Sequence, residues 1–157
     1  MAEKKSPLER RIPPVALGLL AAGSMWLLAR STAAYSVAWP ARAALALGLV
    51  VAAMLVGVSG VRAFDRARTT VNPLGPAEAT CLVTDGIYSR TRNPMYLALA
   101  LALVAWGCWL ASLPALLVVP AFVAYLTRYQ ILPEERALEA AFGEAFHAYR
   151  ARVGRWW

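Results

Sequence analysis

The stretch AALALGLVVAAMLVGVSGV, residues 43–61, contains no charged residue. A helix needs about 20 predominantly apolar residues to cross the hydrocarbon core of a bilayer, so this stretch by itself predicts a transmembrane helix. Small residues stand four positions apart in it, at Gly48/Ala52 and Ala53/Gly57, a spacing that lets a neighbouring helix approach closely. The composition of the whole chain agrees, since 60% of its 157 residues are hydrophobic, against about 45–50% in soluble proteins.

Three further apolar runs extend this pattern on both sides. Residues 14–29, 94–110 and 114–129 each predict another span. The segment WLASLP, residues 109–114, is too short for anything but a tight helical hairpin between the last two spans. We therefore expect an all-α polytopic membrane protein, with four transmembrane helices in a single domain that comprises residues 1–157.

The basic residues predict the orientation, because loops rich in Lys and Arg stay in the cytoplasm. All of the 16 basic residues except Arg30 and Arg42 lie before the first span, between the second and third spans, or at and beyond the end of the fourth, where Arg128 could extend toward water. Both termini are therefore predicted to be cytoplasmic, in an inner membrane of bacterial type. Because the net charge of +7 follows the spans in this way, we expect a bilayer and not a nucleic acid as the partner.

Two segments are predicted to lie outside the spans. Residues 65–92 hold prolines, glycines and threonines without helical periodicity, which indicates a cytoplasmic connector. Residues 134–153 predict one amphipathic cytoplasmic helix that lies on the membrane or against the connector, with Trp156 and Trp157 anchoring its end. Its apolar side chains form a single stripe at helical spacing, which comprises Leu138, Ala141, Phe142, Ala145, Phe146 and Tyr149.

The segment YSRTRNPMYL, residues 88–97, places polar groups directly before the third span. Asn93 is a favourable N-cap and Pro94 a favourable first helical residue, and capping alone would explain both. A second polar group, Glu134-Glu135, follows the fourth span, where it would also complement a helix dipole. Because the hairpin returns the chain to the same depth, we expect the two groups to share a pocket. Its mixed charge would suit a zwitterion.

At these residues the chain resembles a known family. LVTDGIYSRTRNPMYL, residues 82–97, and EERALEAAFGEAFHAYRARV, residues 134–153, are similar to the integral-membrane methyltransferases related to isoprenylcysteine carboxyl methyltransferase and the phospholipid N-methyltransferases. The resemblance covers about residues 64–155 and implies S-adenosylmethionine as the cofactor. The residues that it implies for cofactor binding are Leu82, Val83, Tyr88, Arg92, Asn93, Pro94, Met95, Tyr96 and Glu135. Which of Glu134 and Glu135 contacts the cofactor is left open.

The methyl acceptor is left open by the sequence. The isoprenylcysteine enzymes typically have histidine where this chain has Asn93, so an isoprenylcysteine-type carboxylate, a phospholipid amine and a hydrophobic thiol all remain candidates. An ammonium acceptor would need a base, and Glu134 or Glu135 would supply it. The substrate-side arginine of the isoprenylcysteine enzymes has no clear positional match in this chain, although Arg128 lies nearby. The catalytic candidates are therefore Glu135, Glu134 and Arg128.

Two other classes of function are weighed against a methyltransferase. Membrane reductases that use NADPH are similar in their C-terminal architecture, but they generally have many more spans. A small four-helix transporter or scaffold is the non-enzymatic alternative, although none of the four spans carries an acidic residue of the kind that couples proton transport. Cys81 and Cys108 have neither metal-ligand nor redox spacing, and no metal is expected. A protein partner is not indicated.

Overall fold

The computed structural model describes Glu9, residues 12–33, Ser36, and residues 39–67 and 81–157. The regular secondary structure of these residues is entirely helical, with one isolated antiparallel bridge between Ser36 and Ser112. The prediction of an all-α fold is confirmed. Residues 68–80 of the predicted connector lie outside the described residues.

Seven α-helices follow one another in the described part of the chain. They are α1 (Pro14–Ser31), α2 (Arg42–Ala67), α3 (Pro94–Leu110), α4 (Leu113–Leu116), α5 (Val118–Leu126), α6 (Leu132–Phe142) and α7 (Glu144–Arg152). A 3₁₀ turn, Gly86–Ser89, precedes α3, and a π-helical turn, Thr127–Ile131, joins α5 to α6. Residues 65–67 of the predicted connector thus belong to the end of α2.

Three helical stretches are long and apolar enough to cross a membrane. They are Pro14–Ser31, Arg42–Ala67, and the stretch Leu113–Phe142 that runs through α4, α5 and α6. Helix α3, Pro94–Leu110, is apolar but shorter, at 17 residues. The structure therefore places long apolar helices where three of the four spans were predicted.

The predicted hairpin is present and has local causes. Ala111 has a φ of 52°, which ends α3 in the left-handed conformation. The Ser112 hydroxyl then accepts a hydrogen bond from the Ala115 N–H at 3.3 Å and caps α4. Because only two residues separate α3 from α4, the chain reverses at once and returns toward the level at which α3 began.

Helix α3 lies against both α1 and α2, while α1 and α2 make few or no contacts with each other. Gly57 and Gly60 allow α2 to approach α3 closely, since a Cβ at Gly57 would lie 3.3 Å from the Ala98 Cβ and one at Gly60 would lie 3.3 Å from Pro94. Gly48 differs from the expectation for small residues, because no atom lies within 4 Å of its Cβ position. Among the glycines of α2, close approach to α3 is therefore found at Gly57 and Gly60 and not at Gly48.

The prediction of one amphipathic helix over residues 134–153 is wrong, because Gly143 divides it into α6 and α7. Gly143 has a φ of 49° and a ψ of −122°, a conformation that side-chain-bearing residues rarely adopt. The predicted stripe is therefore split: Phe146 and Tyr149 are buried, whereas Ala141 and Ala145 are exposed.

The acidic pair also lies in a different local setting from the one predicted. The chain is already helical before Pro133, because the π-helical turn leads directly into α6. A π turn suits this position, since proline cannot donate the hydrogen bond that a regular helix would require. Glu134 and Glu135 therefore do not stand at a free helix N-terminus, and the helix dipole does not explain them.

The contact between α3 and α4 provides a test of the fold. A Cβ at Gly107 would overlap the Leu116 side chain and lie 3.1 Å from the Met25 Cε. We expect Gly107→Ala to lower the free energy of unfolding by about 1–3 kcal/mol, the usual cost of overpacking a core. Gly48→Ala, in open space, is the control and should leave stability unchanged or raise it by up to about 1 kcal/mol. Thermal unfolding in detergent would compare them, and equal transition temperatures would contradict the tight packing.

Candidate functional site

A cavity of about 460 Å³ lies where the start of α3 meets α6, α7 and the end of α2. It contains side chains from both polar groups that the sequence placed at one depth. It is lined by Pro14, Val15, Gly57, Val61, Phe64, Cys81, Leu82, Val83, Tyr88, Arg92, Asn93, Met95, Tyr96, Ala98, Leu99, Ile131, Glu134, Glu135, Leu138, Phe146 and Tyr149.

The most strongly charged part of the cavity wall surrounds Glu135. Arg155 donates to both carboxylate oxygens of Glu135, through Nε at 2.9 Å and Nη2 at 2.8 Å. The Arg92 Nη1 lies 3.0 Å from Oε1 of the same carboxylate. The hydrogen bonds to Glu135 raise the pKa of Arg155. Glu135 is thus a buried carboxylate between two guanidinium groups.

Arg92 keeps one unused donor in this arrangement. Only 9% of its side chain is exposed. Among the residues that the structure describes, its Nε has no hydrogen-bond partner, while its Nη1 makes the ion-pair contact with Glu135 without hydrogen-bond geometry. Burial lowers the pKa of Arg92, an effect that the Glu135 carboxylate opposes, but an arginine remains charged at neutral pH. A buried donor without a partner costs free energy, and Arg92 is one of the residues that line the cavity.

Glu134 forms the second carboxylate of the site. It accepts a short hydrogen bond from the Tyr96 hydroxyl, which links α6 to the first turn of α3. The two neighbouring acids therefore have different partners: a phenol for Glu134 and two arginines for Glu135.

Aromatic side chains form a second wall. The Phe64 ring, near the end of α2, meets the Tyr88 ring edge-on at 5.3 Å between centroids, and the Tyr149 hydroxyl donates to the Tyr88 carbonyl at 2.8 Å. Burial raises the pKa of the Tyr88 and Tyr149 phenols, so both are neutral at physiological pH. The 3₁₀ turn is thus held between α2 and α7.

Asn93 acts differently from the predicted N-cap. Helix α3 does begin at Pro94, but the Asn93 side chain makes no capping hydrogen bond. Its amide Nδ2 instead donates to the backbone carbonyl of Arg155 at 2.9 Å. The side chain therefore connects the start of α3 to the C-terminal segment.

The part of the cavity that lies about one turn further along α3 is apolar. It is lined by Ala98 and Leu99 of α3, Val15 of α1, and Gly57 and Val61 of α2. Since α1 and α2 both pack on α3 and scarcely on each other, they flank a groove along α3. The cavity thus joins a charged end to an apolar end.

Comparison with known proteins identifies the family. The family model described as phospholipid methyltransferase matches residues 41–145, more than half of the chain. The chain belongs to the phospholipid methyltransferase family. An uncharacterized protein from Haemophilus influenzae is 42% identical over 62 residues, which are 40% of this chain and 98% of that protein. No solved structure matches the chain.

This phospholipid methyltransferase family membership confirms the family resemblance found in the sequence motifs. A methyltransferase family favours an enzyme over the transporter or scaffold, and favours methyl transfer over the NADPH-dependent reduction that was also considered. Together with the long apolar helices, the family indicates an integral membrane protein.

The structure brings together most of the residues singled out in the sequence. Two stand apart: Pro94 is buried beneath Gly60 of α2 and does not line the cavity, and Arg128 is exposed, with its guanidinium 5.9 Å from the Tyr129 ring centre. Those that line the cavity are Leu82, Val83, Tyr88, Arg92, Asn93, Met95, Tyr96, Glu134 and Glu135.

Three side chains at the site had no role in the sequence-based prediction. Phe64 was assigned to no group, Tyr149 was taken as part of an apolar stripe that faces the membrane or the connector, and Arg155 was read only as one more cytoplasmic cation. Both Tyr149 and Arg155 follow residue 145, beyond the segment that the family model matches. The break at Gly143 was the only local clue that Tyr149 turns inward.

Proposed function

We propose that this protein transfers a methyl group from S-adenosylmethionine to a lipophilic acceptor at the cytoplasmic face of a bacterial inner membrane. The observation that carries the proposal is the single cavity with a charged end and an apolar end. Its volume of about 460 Å³ lies within the range of about 300–1,000 Å³ that is typical of small-molecule sites.

The charged end fits the methyl donor. The methionine part of S-adenosylmethionine carries a carboxylate and an ammonium group, and the site offers the guanidinium of Arg92 beside the carboxylates of Glu135 and Glu134. The rings of Phe64, Tyr88 and Tyr149 supply flat walls for a nucleoside. When bound, the cofactor supplies an electrophilic methyl group on a sulfonium, a cation that aromatic faces attract.

The apolar end fits the acceptor. A lipid-like tail can lie on Ala98 and Leu99 in the groove between α1 and α2, with its polar end toward Glu134. A carboxylate or thiolate acceptor needs no base at neutral pH, whereas an ammonium must first lose a proton. Glu134 is the better base, because Glu135 already binds two guanidinium groups. Arg128 is left without a role here, since it does not line the cavity.

The proposed topology has four transmembrane helices. Helix α3 has 17 residues and a length of about 25 Å at 1.5 Å per residue, enough to cross most of a bilayer core. Glu9 pairs with Arg136 at 2.9 Å, and Arg155 pairs with Glu135. Both ends of the described chain thus contact α6, and the distribution of basic residues favours placing this end in the cytoplasm.

The proposal predicts that the purified protein binds the donor. Isothermal titration in lipid nanodiscs with S-adenosylhomocysteine, the demethylated product, should give a Kd of about 1 μM to 1 mM, the usual range for enzyme substrates. Incubation with radiolabelled S-adenosylmethionine and a bacterial lipid extract should then label a lipid-soluble product. NADPH, the cofactor of the alternative reductase, is titrated in a parallel experiment. Binding of NADPH without binding of S-adenosylhomocysteine would replace the proposed methyltransferase by a reductase.

A further inference from the structure

The last residues of the chain leave α7 and cross the start of α3. Three hydrogen bonds hold them there: the Arg92 N–H donates to the Gly154 carbonyl at 3.0 Å, and the Asn93 amide and Thr91 hydroxyl donate to the Arg155 carbonyl at 2.9 and 3.3 Å. Trp156 packs, partly buried, against the hydrophobic core. The backbone at residues 154–155 is therefore joined to the polar segment that lines the cavity.

The Arg155 side chain reaches Glu135 from this anchored position. Its two hydrogen bonds engage one carboxylate oxygen each. A bidentate guanidinium holds a carboxylate in one plane, which an ammonium group cannot do. Arg155 does not itself line the cavity, whereas Glu135 does, so its effect on a ligand would pass through Glu135.

The exposure of Arg155 argues against a purely stabilising role. A third of its side chain, 33%, is exposed, against 10% of that of Glu135. Because Glu135 keeps Arg92 as a second counter-charge, removal of Arg155 costs less folding stability than removal of the buried carboxylate. Arg155 does affect the contacts of Arg92. Since Arg155 already donates to both oxygens of Glu135, Arg92 makes only a 3.0 Å ion-pair contact there through Nη1, and its Nε has no hydrogen-bond partner among the described residues.

We propose that Arg155 is a positioning residue of the donor site, which orients Glu135 and thereby keeps the Arg92 guanidinium at the cavity wall for a bound anionic group. This inference rests on the proposed function. Without Arg155, the carboxylate of Glu135 is held only from the side of Arg92. Arg92 then turns toward Glu135 to replace the lost hydrogen bonds and withdraws from the ligand.

The test compares S-adenosylhomocysteine binding by Arg155→Gln, Arg155→Lys and Arg152→Gln in the full-length protein in nanodiscs. Arg152 is the matched control, since it is an exposed cation in the same segment that bonds only to the Ala148 carbonyl of its own helix among the described residues. Arg155→Gln should weaken binding about 10- to 100-fold, the equivalent of lost hydrogen bonds to a charged group. Arg155→Lys should restore part of the affinity, and Arg152→Gln should bind within about twofold of the wild type.

Two further measurements distinguish positioning from folding. Thermal unfolding of Arg155→Gln should match that of Arg152→Gln within a few degrees. In a protein that already carries Glu135→Gln, adding Arg155→Gln should cost little more, because Arg155 acts through that carboxylate.

The outcomes separate this inference from the proposed function. If the wild type binds S-adenosylhomocysteine and Arg155→Gln binds as tightly as Arg152→Gln, the positioning role is overturned and the methyltransferase proposal stands. Arg155→Lys with full wild-type affinity would show that charge alone suffices, which also overturns it. If Arg155→Gln does not fold, the affinity of Arg155→Lys for S-adenosylhomocysteine tests the positioning role. Failure of the wild type to bind would remove the proposed function, and the inference with it.

Discussion

Replacing Glu135 with glutamine is expected to weaken S-adenosylhomocysteine binding by at least about 30-fold, because truncating one partner of a buried charge pair costs about 2–5 kcal/mol. The amide has one acceptor oxygen in place of two and cannot satisfy both Arg92 and Arg155. The substitution also leaves the guanidinium groups of Arg92 and Arg155 without their counter-charge. The measurement is isothermal titration, followed by the rate of methyl transfer from radiolabelled S-adenosylmethionine.

Glu139→Gln is the matched control for this change. Glu139 lies on the same helix, about one turn further along, and pairs with His147 at 2.9 Å and Arg150 at 3.8 Å on the surface. Its replacement should leave binding unchanged.

Since loss of a buried partner can also destabilise the fold, the thermal transition of each variant is measured in parallel. Glu135→Asp keeps the charge but shortens the side chain, so it should fold and still bind less tightly than the wild type. Normal binding by both Glu135 variants would show that this carboxylate has no role in the site.

Replacing Val61 with tryptophan is expected to block the acceptor and spare the donor. Val61 lines the apolar end of the cavity from α2 and is 43% exposed, so a larger side chain can be accommodated without disturbing the core. The indole would occupy the groove beside Ala98 and Leu99. An acceptor that must fit beside the indole meets a steric cost that we take as about 1–3 kcal/mol, by analogy with the insertion of extra volume into a packed core. The rate of lipid methylation should then decrease about 5- to 150-fold. The Kd for S-adenosylhomocysteine should not change.

Val58→Trp provides the control on the same helix. Val58 is 44% exposed, almost the same as Val61, and does not line the cavity. The two variants therefore add the same side chain with similar exposure but different access to the groove. Equal methylation rates for the two would show that the acceptor does not enter between α1 and α2. A parallel loss of donor binding in Val61→Trp would show that the charged and apolar ends are not separate subsites.

The two carboxylates make different contacts because of packing and not because of their local sequence. Glu134 and Glu135 are adjacent and both acidic, and the sequence left open which of them contacts the cofactor. In the structure one accepts from a phenol on α3 and the other lies between two arginines. Identical side chains thus acquire different chemistry from their neighbours, which is how paired carboxylates generally divide acid-base and binding roles.

Asn93 shows why a local pattern can place a residue correctly and misjudge its contact. An Asn-Pro pair marks a helix start, and α3 does begin at Pro94. The amide, however, bonds to the Arg155 carbonyl, 62 residues away in the chain. The side-chain orientation that caps a helix competes with any orientation that reaches another partner which the fold brings near. No local pattern can include a partner from a distant segment.

The sequence by itself determined the helical class, the approximate positions of the apolar helices, the hairpin and the family. Each of these depends on interactions between residues close in the chain: an apolar run long enough to cross a bilayer, a turn too short to do anything but reverse, and motifs of contiguous residues. A membrane helix also satisfies its backbone hydrogen bonds internally, so its position can be predicted without knowledge of its neighbours.

The tertiary structure alone decided which polar side chains meet. It brought Arg155 to Glu135, directed Asn93 to the C-terminal segment, turned Tyr149 inward after the break at Gly143, and left Arg128 outside the cavity. The reason is geometric: a hydrogen bond or ion pair needs its two partners within about 3 Å, and the rotation and packing of whole helices set those distances.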